Sequence, residues 1–288
     1  MTHNRVTALS LAAIAASFVL PGCSSQPGPR DRDESRRLVK DAVVLNDQGK
    51  FSDAESKLRE AVKRDNANAS AHLNLGIVLE NVKSDHEAAA EEFTKAVNLD
   101  PRLELARRKL GETRYIMGDR ERARQQLEIA TRDDPKDAIA WYDLGIVAMD
   151  ERRVDTAKAA FETAVALAPG DSASHYHLAL ALEPTDVKRA CTEYEKTIEL
   201  RPRHVDAMNN LAILLEREDP TSDRPLELWN RALAIDPEFA AAEKNLGAAL
   251  YLDRKRAKEA MPHFQRYLDL GGDDARVKRW MAEARDAS

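Results

Sequence analysis

The sequence predicts an all-α solenoid of about seven helix–turn–helix units closed by a C-terminal capping helix. Three observations point there. The 288 residues are 43% hydrophobic and 33% charged but only 5% aromatic, the composition of packed, solvent-facing helices rather than of an all-β protein. A small residue followed four places on by a large one recurs at intervals of 35, 34, 34, 33, 35 and 35 residues, with one small-residue place taken by Pro225. Each recurrence is closed by Pro, Gly or Asn, and self-similarity at such a period marks stacked units that cannot bury their apolar faces alone.

Residues 1–22 read as a secretory signal peptide. Arg5 supplies the positive end, Val6 to Leu20 a 15-residue apolar run and Gly22 a small residue at the cut. A membrane span needs about 20 apolar residues, which weighs against the alternative of an uncleaved anchor. Leu20-Pro21-Gly22-Cys23 resembles the bacterial lipobox. That resemblance implies cleavage before Cys23, a diacylglycerol thioether on its sulfur and an N-acyl chain such as palmitate. Stable anchoring takes two acyl chains or more. Ser24 at the next place implies the outer membrane, with the protein facing the periplasm. Residues 23–34, "CSSQPGPRDRDE", then read as the lipidated cysteine and a flexible tether.

The units follow as 35–68, 69–103, 104–137, 138–171, 172–204, 205–239 and 240–273, with 274–288 as the cap. Their second helices carry Ala54 and Leu58, Ala89 and Phe93, Ala123 and Leu127, Ala157 and Phe161, Ala190 and Tyr194, Pro225 and Trp229, Ala260 and Phe264. Alanine permits close helix approach and the large residue fills the adjoining groove. Pro225 follows Ser222 and Asp223 and is expected in a first helical turn, where its missing N–H costs little. The first unit is the least regular, with Asp41 where Leu is expected and Asn66 where Pro is. It is either an ordinary terminal repeat or a loosened cap.

In 138–171, Trp141, Leu144, Gly145, Ala157, Phe161 and Pro169 fall on the spacing W-x₂-L-G…A-x₃-F…P. The chain therefore resembles the tetratricopeptide repeat proteins. The resemblance implies a right-handed superhelix whose first helices line a concave face. The residue before each Leu-Gly or Leu-Ala pair is Asn74, Lys109, Asp143, His177, Asn210 or Asn245. In related superhelices asparagines at this place bind the backbone of an extended peptide, a task suited to an amide that donates and accepts at once. Beside them run Leu73, Ile77, Tyr142, Ile146, Met149, Tyr176, Leu180, Ile213 and Tyr251. This is the make-up of a groove for a peptide or amphipathic helix, or of side chains packed on the neighbouring helix.

The formal net charge is −6, and removing residues 1–22 leaves 43 basic against 50 acidic groups. Nucleic acid is disfavoured, with no basic stripe carrying interleaved aromatics. The sequence holds no Gly-x-Ser-x-Gly, His-Glu-x-x-His, Walker A, Cys-x-x-Cys or dinucleotide loop. His175 and His177 sit two apart, on different sides of a helix, with His175 expected at a helix boundary. No metal, cofactor or catalytic residue is expected. Cys191, left without an intramolecular partner, reads as a small packed residue or a reactive thiol.

The leading expectation is a non-enzymatic, lipid-anchored scaffold for a protein or peptide partner. It resembles two groups of outer-membrane tetratricopeptide lipoproteins, the pilotins of secretins in type IV pili and the adaptors of peptidoglycan hydrolases. Other classes are a cryptic envelope enzyme and a cytoplasmic co-chaperone with a basic carboxylate clamp, for which Lys109 and Lys244 are the available cations.

Overall fold

The computed structural model describes residues 26–286. The leader, Cys23 and the first residues of the tether lie outside them. Seven antiparallel helix pairs follow one another: α1 (Pro29–Asp47) with α2 (Phe51–Arg64), α3 (Ala69–Lys83) with α4 (His86–Leu99), and α5 (Glu104–Ile116) with α6 (Arg120–Asp133). Then come α7 (Ala138–Asp150) with α8 (Val154–Leu167), α9 (Ser172–Leu182) with α10 (Val187–Leu200), and α11 (Val205–Glu218) with α12 (Arg224–Ile235). The last pair is α13 (Ala240–Ala248), prolonged by a π-helical turn over Ala249–Asp253, with α14 (Ala257–Asp269). The helix α15 (Ala275–Asp286) caps the stack. Each pair packs on the next, so the all-α repeat superhelix read from the sequence is the fold observed.

The repeat signature is a packing rule. A Cβ built on Gly76, Gly111, Gly145 or Gly247 would fall 2.6, 2.7, 2.4 or 2.8 Å from Phe93, Leu127, Phe161 or Phe264. Glycine in the first helix thus makes room for the large residue of the second. The alanine four residues before each of those large residues is fully buried, and the same interdigitation repeats down the chain. Pro225 lies in the first turn of α12.

Polar residues set the boundaries. Asn68 caps α3, Asp137 α7, Asp171 α9, Asp85 α4 and Asp119 α6, each accepting backbone N–H groups of the first turn. In "RDDPKDA", Asp134 accepts from Lys136 N and Asp137 from Ile139 N and Ala140 N. This acidic cluster is turn chemistry.

The N-terminal boundary corrects one expectation. Residues 29–34, expected to be tether, are the first turns of α1. Pro29 stands at a position where its missing N–H is harmless, and Asp31 accepts the Gly28 N–H at 3.3 Å. Further along the helix, Ser35 is fully buried and donates to the Ala61 carbonyl at 2.9 Å. The charged run is therefore the outer face of a packed helix.

Candidate functional site

The first helix of each pair offers its fifth, sixth, ninth and twelfth residues along one face. On α7 these are Tyr142, Asp143, Ile146 and Met149, all half-buried. On α9 they include Tyr176, His177 and Leu180, also half-buried, and on α11 Asn210 and Ile213. Ile77 is half-buried, whereas Leu73, expected in the groove, is only 5% exposed and belongs to the core under α3. Lacking the bulk of Tyr142 or Tyr176, a leucine at that place sinks between the helices.

The sixth-position side chains turn to partners within the protein. Asn74 donates to the Ser70 carbonyl one turn back at 2.8 Å. Lys109 Nζ reaches Glu112 Oε2 at 2.8 Å and Glu80 Oε2 at 3.5 Å. Thr113 Oγ1 lies 2.6 Å from the other Glu80 oxygen, so a polar seam ties α3 to α5. Glu80 and Thr113, both buried, escape a sequence reading based on the sixth position alone.

Asp143 is the exception. Its Oδ2 is buried and meets no hydrogen-bond partner among the described residues. Burial, reinforced by the nearby charge of Glu112, pushes its carboxyl up to about 7, against the opposing pull of Arg108 and Lys109. Asp143 borders a cleft of about 210 Å³ between α5 and α7, lined also by Glu112, Tyr115, Leu127, Tyr142, Ile146 and Val147.

Beyond α7 the seam becomes aromatic. His177 sits among Phe161, Tyr142 and Tyr176, with ring centroids 5.7, 5.5 and 5.3 Å away. Tyr176 in turn lies 4.6 Å from His204. Burial lowers the His177 pKa, and the proximity of His204 lowers it further. Next along, Asn245 donates to Asn209 Oδ1 at 2.9 Å, Asn209 to Asn210 at 3.2 Å, and Asn210 to the Tyr194 hydroxyl at 3.3 Å. Tyr194 donates to Glu183, and Trp229 Nε1 also donates to Asn209 Oδ1 at 3.2 Å. The asparagines form a chain of amides binding unit seven to unit five. The Asn209-Asn210 doublet facing Asn245 is its sequence signal.

A family model described as tetratricopeptide repeat matches residues 42–104, 108–172 and 142–185. The chain belongs to the tetratricopeptide repeat family. This tetratricopeptide chain shares its fold with PilF of Pseudomonas aeruginosa, at 22% identity and a TM-score of 0.65, over 74% of this chain and 97% of that one. It also shares it with YrrB, a TPR protein with an unusual peptide-binding site, at 22% identity and a TM-score of 0.57, over 64% and 95% of the two chains. Among curated proteins it is 24% identical over 261 residues to the human protein O-mannosyl-transferase TMTC3, covering 88% of this chain and 28% of the relative. Anaphase-promoting complex subunit 3 of Schizosaccharomyces pombe is 24% identical over 200 residues, covering 67% and 29%. This chain spans less than a third of the length of either curated relative.

The remaining sequence candidates fall into place on this tetratricopeptide frame. Tyr251 stands on the π-helical turn and donates to Glu283 of α15 at 3.1 Å. Lys244 lies 3.9 Å from Asp274 and over the Tyr267 ring. Both cations proposed for a carboxylate clamp, Lys109 and Lys244, are thus held by acids of this chain. His175 lies in the first turn of α9, with its ring bracketed by Glu193 at 2.6 Å and the Pro169 carbonyl at 3.1 Å. His72 repeats that bracket with Glu92 and Asn66, and Trp141 Nε1 donates to the Pro135 carbonyl. The fourth residue of the first helix, known in the motif as Trp, here ties the inter-unit turn to the helix that follows. Cys191 is half-buried in α10, and burial together with Glu218 and Glu195 pushes its thiol up, which disfavours the reactive thiolate.

Proposed function

We propose that this protein is a non-enzymatic scaffold of the bacterial envelope, held at the outer membrane by lipid on Cys23 and binding a partner peptide or amphipathic helix along its concave face. The observation that carries the reading is the continuous row of half-buried first-helix side chains, Tyr142, Ile146, Met149, Tyr176, Leu180 and Ile213, beside the cleft at Asp143. Apolar anchors spaced along a preformed groove and flanked by polar groups suit a segment that brings its own backbone hydrogen bonds, a helix above all. That suits the amide chain too, since Asn210 and Asn245 already spend their donors inside the protein.

The leader and lipobox supply the anchoring half of the proposal. With α1 beginning at Pro29, the chain between the lipid and the first helix reaches at most about 20 Å. The stack would then work close against the membrane. We read the pathway as assembly of a secretin or pilus type of envelope complex, which the pilotin-like combination of lipobox and repeats supports.

In-cell crosslinking of the full chain tests the groove. A partner captured by wild type and lost by Ile146→Ser and Leu180→Ser variants of unchanged far-UV helicity supports it. Equal capture by both moves binding to another face. Palmitate labelling tests the anchor separately: it is expected to vanish in Cys23→Ala, and labelling that survives would refute the lipidation.

A further inference from the structure

We propose that the cleft between α5 and α7 is an anchoring subsite for one basic side chain, lysine or arginine, of the partner segment, with Asp143 receiving its charge. The proposal rests on the scaffold reading above and names what that groove selects.

Size comes first. At about 210 Å³ the cleft falls below the roughly 300–1,000 Å³ of small-molecule sites. One long side chain fills it. The walls are Tyr115, Leu127, Tyr142, Ile146 and Val147, and the two charged side chains among its lining residues are both carboxylates, Glu112 and Asp143. Lysine and arginine match that division, since their methylene stems lie on apolar surface while the cationic head seeks polar company. The two tyrosine rings add a favourable face for a cation.

Charge decides between the carboxylates. Glu112 already accepts from Lys109 at 2.8 Å. Asp150, outside the lining, holds the Tyr115 hydroxyl at 2.9 Å and Arg120 Nε at 3.3 Å. Asp143 Oδ2 alone among the cleft's carboxylate oxygens is both buried and unpartnered. An unmet buried acceptor is costly, and an arriving donor relieves that cost. The charged groups facing Asp143 are Glu112, Arg108 and Lys109 from α5 and Asp137 from the turn before α7. Lys109 is bound by Glu80 and Glu112, and Arg108 Nε stands 3.1 Å from Asp137 Oδ2 as an ion pair without an aligned hydrogen bond. Neither cation hydrogen-bonds Asp143 Oδ2 among the described residues. A partner's cation therefore completes the site, whereas an acidic or neutral apolar side chain leaves the carboxylate unmet.

The test selects a display library of random linear peptides against the full chain. The expected result is that selected peptides share a lysine or arginine at a fixed place. Replacing that residue by norleucine, or Asp143 by Asn, should weaken binding by about tenfold or more. Because the cation needs ionised Asp143, affinity should also rise between about pH 6 and 8 in wild type and stay flat in Asp143→Asn. Asp143→Asn removes a buried, unpartnered charge and is expected to fold. Peptides that lose binding to Leu180→Ser yet carry no shared basic residue and bind Asp143→Asn as well as wild type would overturn the subsite and leave the groove standing. Peptides indifferent to every concave substitution, or none retained at all, would overturn both.

Discussion

The seam from α3 to α7 and the seam from α7 to α11 use one backbone arrangement and opposite chemistry. In the first, neighbouring units are tied by Glu80, Thr113, Lys109 and Glu112, and by Arg108 with Asp137. In the second they are tied by Tyr142, Phe161, His177, Tyr176 and His204. The repeat fixes where a first-helix side chain points. It leaves free whether that place carries charge or an aromatic ring. Specificity for a partner can thus vary along the groove without disturbing the stack, because the Ala, Gly and large residues behind it carry the packing.

The largest effect should come from the residue that underlies the aromatic seam. Phe161 is fully buried, lies against Gly145 and touches the rings of Tyr142 and His177. Phe161→Ala should cost about 3–5 kcal/mol in urea unfolding. Leu127→Ala, the same place in unit three, removes a smaller side chain and should cost less, about 2–4 kcal/mol. A difference no larger than the sizes of the two side chains account for would mean that the aromatic contacts add nothing beyond burial.

The next difference is one of sign with pH. Asp143 has a folded pKa raised to about 7 from an ordinary 3.8, so the folded state binds the extra proton between those values. Its contribution to stability is present below about pH 4 and is lost as pH rises toward 7. His177 has a lowered folded pKa, so its contribution is present above its ordinary value of about 6.5 and is lost as pH falls. Asp143→Asn should therefore stabilise the protein at pH 8, by up to about 4 kcal/mol, and remove the fall in stability between about pH 4 and 7. His177→Phe should flatten the acid side. Hydrogen exchange at about pH 5 and 8, corrected for intrinsic rates, should show α5 and α7 tightening in acid while α9 and α11 loosen. Slopes of the same sign in both seams would break the comparison.

How much of this was legible depends on what each residue answers to. The superhelix was legible because its period is enforced by sterics: Phe93 or Phe161 must meet a glycine one helix away, whatever surrounds it. The polar character of the sixth positions was equally plain. Their bonding was not, since whether Asn245 faces a ligand or Asn209 depends on a residue 36 places earlier. The start of α1 was hidden because Pro29, Asp31 and the arginines look like a solvated leader until Ser35 is seen buried on α2. Leu73 was misplaced because periodicity assigns a face but not a depth. The π-helical turn at Ala249–Asp253 has no counterpart in the other units, so no repeat pattern announces it.

The smallest effect sharpens the comparison at the turn between the two helices of a unit. Unit three, on the polar side, turns at Gly118 with φ of 81°, and unit four, on the aromatic side, at Arg152 with φ of 58°. The bonding is the same in both: Gly118 N donates to the Tyr115 carbonyl and Asp119 N to that of Arg114, as Arg152 N does to Met149 and Arg153 N to Ala148. A left-handed residue is thus required by the turn and not chosen by the seam. Arginine bears a steric cost there that glycine avoids, partly offset by the greater freedom glycine loses on folding. Arg152 is exposed and joins no ion pair among the described residues, so the substitution disturbs little else. Arg152→Gly should raise stability by about 0.5–1 kcal/mol, and Gly118→Arg should lower it by a similar amount, read from urea midpoints at constant m-value. If Arg152→Gly instead destabilises, unit four's turn is held by side-chain packing that unit three lacks, and the two seams differ in their backbone as well as in their chemistry.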